Sequence, residues 1–432
     1  MRIYLWTFPL LLALSKADNP PFDSALKAVF SVGVKLQALL DDDTSNSNFL
    51  ISPISITSLI GQLMIGAEGE FRDNLFQLLS LDKTDIQKES SLNLYSEKKN
   101  GSLRLPYSKF HLEMYSLIKH LQRGYKGNNE LFTLEQSNAI FYDQKLKLTQ
   151  EFRHYSKLFY NSQLTGLDFV GAPREAQKTL NEWTALHTQG LIKTIFPAPP
   201  PAYTSAIFLN AIYFLAEWEI PFSDELNRVG NFNVNENVTV NATYMLGTIE
   251  QIPYIETDEY KMIALPYKND ELEMFIMLPS KDSEYSYDIR KFAQSLNATD
   301  ILSSIERSKK KDVIVKIPKM TLSTSVSVLQ PLLKYQASKM KAVENNTVTK
   351  EIYPDIILSG AVEDGNLRVN DIVQEMVFSI NEKGTEAAAV AIGTVDYIGG
   401  QKRFLADRPF VFFIRHKSTT ATLFWGTIAD PS

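Results

Sequence analysis

Residues 382–410 read Glu382-Lys383-Gly384-Thr385-Glu386-Ala387-Ala388-Ala389-Val390-Ala391-Ile392-Gly393-Thr394-Val395-Asp396-Tyr397-Ile398-Gly399-Gly400-Gln401-Lys402-Arg403-Phe404-Leu405-Ala406-Asp407-Arg408-Pro409-Phe410. Thr385 to Thr394 is small, mostly apolar and free of proline. Its Val and Thr favour a strand, its Ala a helix, and no helical period runs through it. Gly399, Gly400 and the polar Gln401-Lys402-Arg403 then mark an exposed loop. Read as a strand, one face carries Thr385, Ala387, Ala389, Ala391 and Gly393. The other carries Glu386, Ala388, Val390, Ile392 and Thr394. The first face is uniformly small, which a strand sliding between neighbours over a packed core requires. On this stretch alone an ordinary Ala-rich strand or linker fits as well.

The flanks decide between them. Glu382 to Ala389 resembles the hinge of inhibitory serpins, and Phe404 to Ile414 is similar to the signature that follows the serpin reactive loop. Further matches occur in order. Asn48 to Ser55, continued by Gly66-Ala67, resembles the family's Asn-x-x-x-Ser-Pro-x-Ser element. Thr188 to Ile195, Asn210 with Trp218, Pro318-Lys319-Met320 and Leu423 to Gly426 follow. Phe214-Leu-Ala-Glu-Trp218 departs from the usual Phe-Lys-Gly-x-Trp, a local surface change. The resemblance runs from about residue 22 to the end, with no internal repeat or domain break.

It implies an α+β serpin fold, with several helices packed on large, mostly antiparallel sheets and an exposed reactive-centre loop at about 382–403. The implied activity is suicide-substrate trapping of a serine protease. The protease cleaves the loop, the loop inserts into the main sheet as an extra strand, and the acyl-enzyme is carried along and distorted. Such insertion is a property of that family, not a deduction from these residues. The hinge would be Glu382, Gly384, Thr385, Ala387, Ala388 and Ala389. Counting from Gly384 as in inhibitory members sets the cut between Ile398 and Gly399, which suits an elastase-like protease. Tyr397 would suit a chymotrypsin-like one. Lys402 and Arg403 lie too late for trapping by a trypsin-like enzyme. Ser52, Ser55, Asn210 and Gln374 match positions used beneath the opening sheet, with Trp218 at its top. A non-inhibitory serpin, acting as a carrier or signalling protein, is the alternative. No cofactor is implied, and a monomer is expected.

The 432 residues, 44% hydrophobic and 22% charged, suffice for a large core. The net charge of −6 argues against nucleic acid as a partner. With no cysteine, disulfides and thiolate chemistry are excluded. Residues 1–17 read as a signal peptide: Arg2, the apolar run Ile3 to Leu14, then Ser15-Lys16-Ala17. That run is too short to span a bilayer, and no membrane segment follows. A single domain over 18–432 is expected, secreted and extracellular. Five sequons, at Asn100, Asn237, Asn241, Asn297 and Asn345, fit a glycoprotein. The polar insertion from Thr84 to Leu105 and the loop resemble those of arthropod extracellular serpins, which often restrain immune protease cascades.

An enzyme reading finds little support. His111, His120, His154, His187 and His416 fall in none of the metal or hydrolase motifs, and no phosphate loop occurs. Lys119, His120, Arg123 and Lys126 cluster at a helix end. A solvated face is the first reading there and a glycosaminoglycan site the lesser one. Helices are expected over Phe22–Leu40, from Pro53 with Ser52 as its cap, over Phe110–Leu121, Thr149–Tyr160, Ala176–Thr188 and Tyr287–Ile305. Strands are expected at Ser137–Tyr142, Ile207–Phe214, Phe232–Ile252 and Val313–Ile317, with Arg307–Lys311 as a basic turn and a hairpin over Met262–Pro279.

Overall fold

The apolar runs read from the sequence assemble into two sheets clad by helices. The computed structural model describes residues 22–39, 48–82, 109–123, 132–296, 298–341, 355–385 and 401–432. Among them the helices are α1 (Asp23–Leu39), α2 (Pro53–Gly66), α3 (Gly69–Leu78), α4 (Lys109–Arg123), α5 (Gln150–Tyr160), α6 (Pro173–His187), α7 (Ile289–Ser295), α8 (Ala298–Arg307) and α9 (Leu329–Lys341). The first strands are β1 (Phe49–Ile51), β2 (Phe132–Asp143), β3 (Gln163–Leu167), β4 (Ala206–Glu217), β5 (Arg228–Asn233), β6 (Thr239–Glu256), β7 (Tyr260–Pro266) and β8 (Leu272–Pro279). The later ones are β9 (Lys309–Pro318), β10 (Met320–Ser327), β11 (Ile357–Leu358), β12 (Leu367–Ile380), β13 (Gly384–Thr385), β14 (Lys402–Leu405), β15 (Phe410–His416) and β16 (Thr422–Ile428).

One sheet runs β1-β16-β15-β8-β7-β6-β9-β14, with β5 on β6. The other runs β10-β12-β4-β2-β3, with β11 on β12 and β13 on β4. Most pairs are antiparallel, but β4 and β12 run parallel, as do β2–β3 and β9–β14. The architecture is therefore α+β, as the resemblance implied. No described helix is long and apolar enough to cross a membrane.

Both faces of the second sheet are covered, which is why β4 reads as a continuous apolar run. On one face Phe208, Ile212 and Phe214 join the main core with Ile372, Met376 and Phe378 of β12. On the other, Ile207, Leu209, Ala211 and Val373 pack under Leu180 and Trp183 of α6. Beneath the first face runs α2, apolar and buried along nearly its whole length. Gly61 lets it lie against Tyr160: a Cβ there would stand 2.0 Å from the phenol oxygen.

Four expectations are corrected. Ser52 stands at the start of α2, but its side chain makes no capping hydrogen bond. Its backbone is instead clamped by Gln374, described below. Tyr287–Ile305 is two helices: Leu296 turns extended and closes α7 with its N–H on the Phe292 carbonyl. Lys309–Lys311 is not a turn, because β9 already pairs there with Tyr254 and Ile252 of β6. Phe232–Ile252 is interrupted, its chain folding back through the Val234 N–H to Val238 carbonyl bond between β5 and β6. The Thr84–Leu105 insertion, residues 1–17 and Lys126 lie outside the described residues.

Candidate functional site at a strand seam

The seam between β4 and β12 is paired from Val369 opposite Ala206 to Val377 opposite Tyr213. On its core side one register is polar. Gln374 of β12 faces Asn210 of β4, and Asn210 faces Asn138 of β2. All three are buried. Their amides form a one-way chain. Gln374 Nε2 donates to Asn210 Oδ1 at 3.3 Å, Asn210 Nδ2 to Asn138 Oδ1 at 2.9 Å, and Asn138 Nδ2 to the Tyr160 carbonyl at 2.9 Å. An amide both donates and accepts, so each link satisfies the next. Gln374 also grips the start of α2. Its Oε1 accepts from Ser52 N–H at 2.9 Å, and its Nε2 donates to the Ser52 carbonyl at 3.3 Å.

The network continues beyond the residues named from the sequence. The Tyr160 hydroxyl lies 2.6 Å from His111 Nδ1. Burial, with Arg72 adding, holds His111 down to about 3, so its ring is neutral at physiological pH. Asn138, Tyr160 and His111 were missed. Asn138 carries the signal that marks Asn210, a lone amide inside a buried apolar strand. Ser52 and Ser55 are fully buried, and neither hydroxyl bonds to a described group.

At the top of the seam β4 and β12 part. The chain reverses through Asn381–Lys383 and returns as β13, antiparallel to β4, with Gly384 opposite Glu217 and Thr385 opposite Ala216. Trp218 pins this reversal. Its ring N–H donates to the Asn381 carbonyl at 2.9 Å and its backbone N–H to the Lys383 carbonyl at 2.8 Å. The ring stacks on Tyr267 with centroids 4.5 Å apart. Glu382 is buried with Lys319 Nζ 3.0 Å from its Oε1 and the Asn227 amide donating to the same oxygen. Burial pushes its carboxyl up, but its own backbone N–H, Lys319 and Asn227 outweigh that and leave it below the ordinary value. Lys268 pairs with Glu217 beside it.

Gly384 has φ +142°, and a Cβ there would lie 2.1 Å from the Ala216 carbonyl oxygen and 2.6 Å from Glu217 Cα. Both are backbone atoms that cannot step aside. Gly384→Ala is therefore expected to detach β13 from β4 and to cost about 1–3 kcal/mol. Hydrogen exchange over 214–220 would accelerate; unchanged protection there would contradict this close packing.

Ala387, Ala388, Ala389, Tyr397, Ile398 and Gly399 lie outside the described residues, as do Asn100, Asn297 and Asn345. Thr385 is the last described residue before this stretch and is paired in the second sheet, and Lys402 after it is paired on the first sheet beside β9. Asn237 and Asn241 are exposed. The histidines are engaged structurally. His154 packs on Tyr155, His187 on Trp183, and His120 on Phe22 and His416. His416 lies between Glu271 and the buried Thr419.

Comparison with known proteins identifies a family and a fold. The family described as Serpin (serine protease inhibitor) matches residues 27–431. A leukocyte elastase inhibitor of Bos taurus is 26% identical over 416 residues, covering 94% of this chain and 99% of its own. Serine protease inhibitor 28Dc of Drosophila melanogaster is 28% identical, covering 88% and 75%. Among solved structures, human thyroxine-binding globulin superposes with a TM-score of 0.75 at 21% identity, covering 95% of this chain and 100% of that one. Native protease nexin-1 with heparin gives 0.73 at 20%, covering 95% and 100%.

Proposed function

Because this chain belongs to the serpin family, we propose that it is a secreted inhibitor that traps an elastase- or chymotrypsin-like serine protease by loop insertion. One observation carries the reading. The β4–β12 seam is closed and parallel, yet the returning chain has already taken the first two antiparallel places at its top. A strand continuing that register after cleavage would set Ala387 opposite Phe214, Ala389 opposite Ile212 and Ala391 opposite Asn210. Those β4 side chains lie on the main-core face, so the small residues would enter where space is scarcest. Glu386, Ala388 and Val390 would face α6.

Insertion adds backbone pairs on both sides of the new strand. At about 1 kcal/mol each, these supply on the order of 10 kcal/mol. An acyl-enzyme carried the length of the seam moves by several tens of Å, at about 3.3 Å per residue. The similarity to leukocyte elastase inhibitors and the place of Ile398 support an elastase-like target. The apolar leader at residues 1–17 and the exposed Asn237 and Asn241 support secretion with glycosylation.

Incubation with an elastase and a chymotrypsin, followed by denaturing electrophoresis, tests the proposal. A covalent complex is expected, with a released fragment beginning at Gly399. Only cleaved protein, whatever the protease, would sink it. Cleavage should also raise the unfolding temperature by roughly 10 °C, because about 10 kcal/mol is set against an unfolding entropy of about 0.9 kcal/mol per kelvin for a chain of this length. A non-inhibitory member acting as carrier or signal would show no gain.

A further inference from the structure

Glu375 follows Gln374 on β12 and so points to the opposite face of the sheet, the side covered by α6. It lies between Ala211 of β4, across the seam, and Ser325 of β10. It is 1% exposed. The Ser325 hydroxyl donates to Oε1, and Oε2 is buried with no hydrogen-bond partner among the described residues. A carboxylate that can only accept, given one donor and no cation, is poorly housed when ionised.

The charged groups around it do not relieve this. On β12, Asp371 takes the Ser327 hydroxyl at 2.6 Å. On β2, Glu135 takes the Gln189 amide at 3.3 Å. Lys178 and Glu182 of α6 pair with each other in solvent, and His187 at its end stacks on Trp183. Lys193 on the following segment is exposed. On this face β4 offers Leu209, Ala211 and the phenol of Tyr213, and β10 offers Ser323, Ser325 and Ser327. None of these charged groups is hydrogen-bonded to Glu375.

We propose that Glu375 is a proton-operated latch on the β4–β12 seam: carrying a proton it holds the seam shut, and losing the proton loosens the seam. Its consequence for trapping rests on the insertion reading above. A protonated carboxyl gains a donor and loses its charge, so the closed seam houses it well. An opened seam lets water reach the group, which then favours the ionised form. Burial pushes this carboxyl up to about 7 from an ordinary 4.5, the Ser325 hydrogen bond offsetting part of the shift. The sign follows from linkage. The closed seam is most stable below the ordinary value of 4.5, loses that stability as pH rises to about 7, and changes no further above it. Opening should quicken by up to about tenfold per pH unit inside that window.

Hydrogen exchange over 206–216 and 369–379 of the full-length protein, corrected for intrinsic rates, reads the opening directly between pH 5 and pH 8. Relative to Glu375→Gln, the parent should open at least about tenfold faster at pH 7 than at pH 5, with a plateau above. Glu375→Leu removes the proton by a different chemistry and must erase the same step, so a poorly folded Gln variant does not shield the idea. Ser325→Ala removes the one donor among the described residues and should move the break to higher pH. One profile shared by parent, Gln and Leu variants would overturn the latch, as would a break that does not move in Ser325→Ala. A protein lacking the thermal gain on cleavage would sink the insertion reading, while the exchange profile would still decide the latch.

Discussion

Thr385→Arg is expected to turn the proposed trap into a substrate of the same protease. Thr385 is the second residue of β13, opposite Ala216 at the top of the seam. It is already paired with β4, and completing the proposed insertion would enclose this position between β4 and β12 on the main-core face. Burying an unpaired guanidinium there costs about 3–5 kcal/mol. Expressed even half in the barrier to insertion, that slows it more than tenfold. Deacylation is untouched and overtakes it. The proposed cleavage site around Tyr397–Gly399 is unaltered, so the rate of cutting should hold. The measurement is the number of inhibitor molecules consumed per protease inactivated, together with the yield of covalent complex. A rise of about tenfold in that number, with complex nearly lost, is expected. Trapping as efficient as the parent's would rule out insertion through this hinge.

Asn210→Leu is expected to weaken the native state more than any other change in the seam. Leu preserves the approximate volume but removes the middle of the amide chain. Gln374 Nε2 keeps only the long bond to the Ser52 carbonyl, and Asn138 Oδ1 loses its donor. Each orphaned buried group costs about 1–3 kcal/mol. The midpoint of urea unfolding should fall accordingly, and the protein should lose inhibitory activity faster on storage at 37 °C as the seam opens unaided. The double variant Asn210→Leu with Gln374→Leu discriminates a chain from two separate contacts. Removing both partners leaves fewer orphans, so its loss should be clearly smaller than the sum of the single losses. Strict additivity would mean that the two amides do not act together.

Much of this was legible in the residues. Ile207–Phe214 declares itself a strand buried on both faces, because no polar alternation interrupts it except Asn210. The small stripe from Thr385 to Gly393 follows from a period of two. Gly384 stands where φ is positive and backbone approaches closely, a position few residues other than glycine tolerate. The α+β class was implied by the motifs that resemble the serpin family, and the same resemblance pointed to the hinge, Trp218 and Gln374. The misreadings share a cause. Ser52-Pro53 has the composition of a cap, and Lys309–Lys311 that of a turn, but composition does not report what the backbone pairs with. The Ser52 backbone is gripped by Gln374, and the lysines are held in a strand by β6.

By itself the sequence determined which faces are apolar, where the small stripe lies and where glycine is needed, because side-chain periodicity and steric limits are local. Only the tertiary structure decided that β4 and β12 are neighbours, parallel, and in the register that aligns Gln374, Asn210 and Asn138. It alone also buried Glu375 on the far face of the sheet beside the Ser325 hydroxyl. Pairing between segments more than 150 residues apart depends on how the whole core closes, and no local pattern carries that.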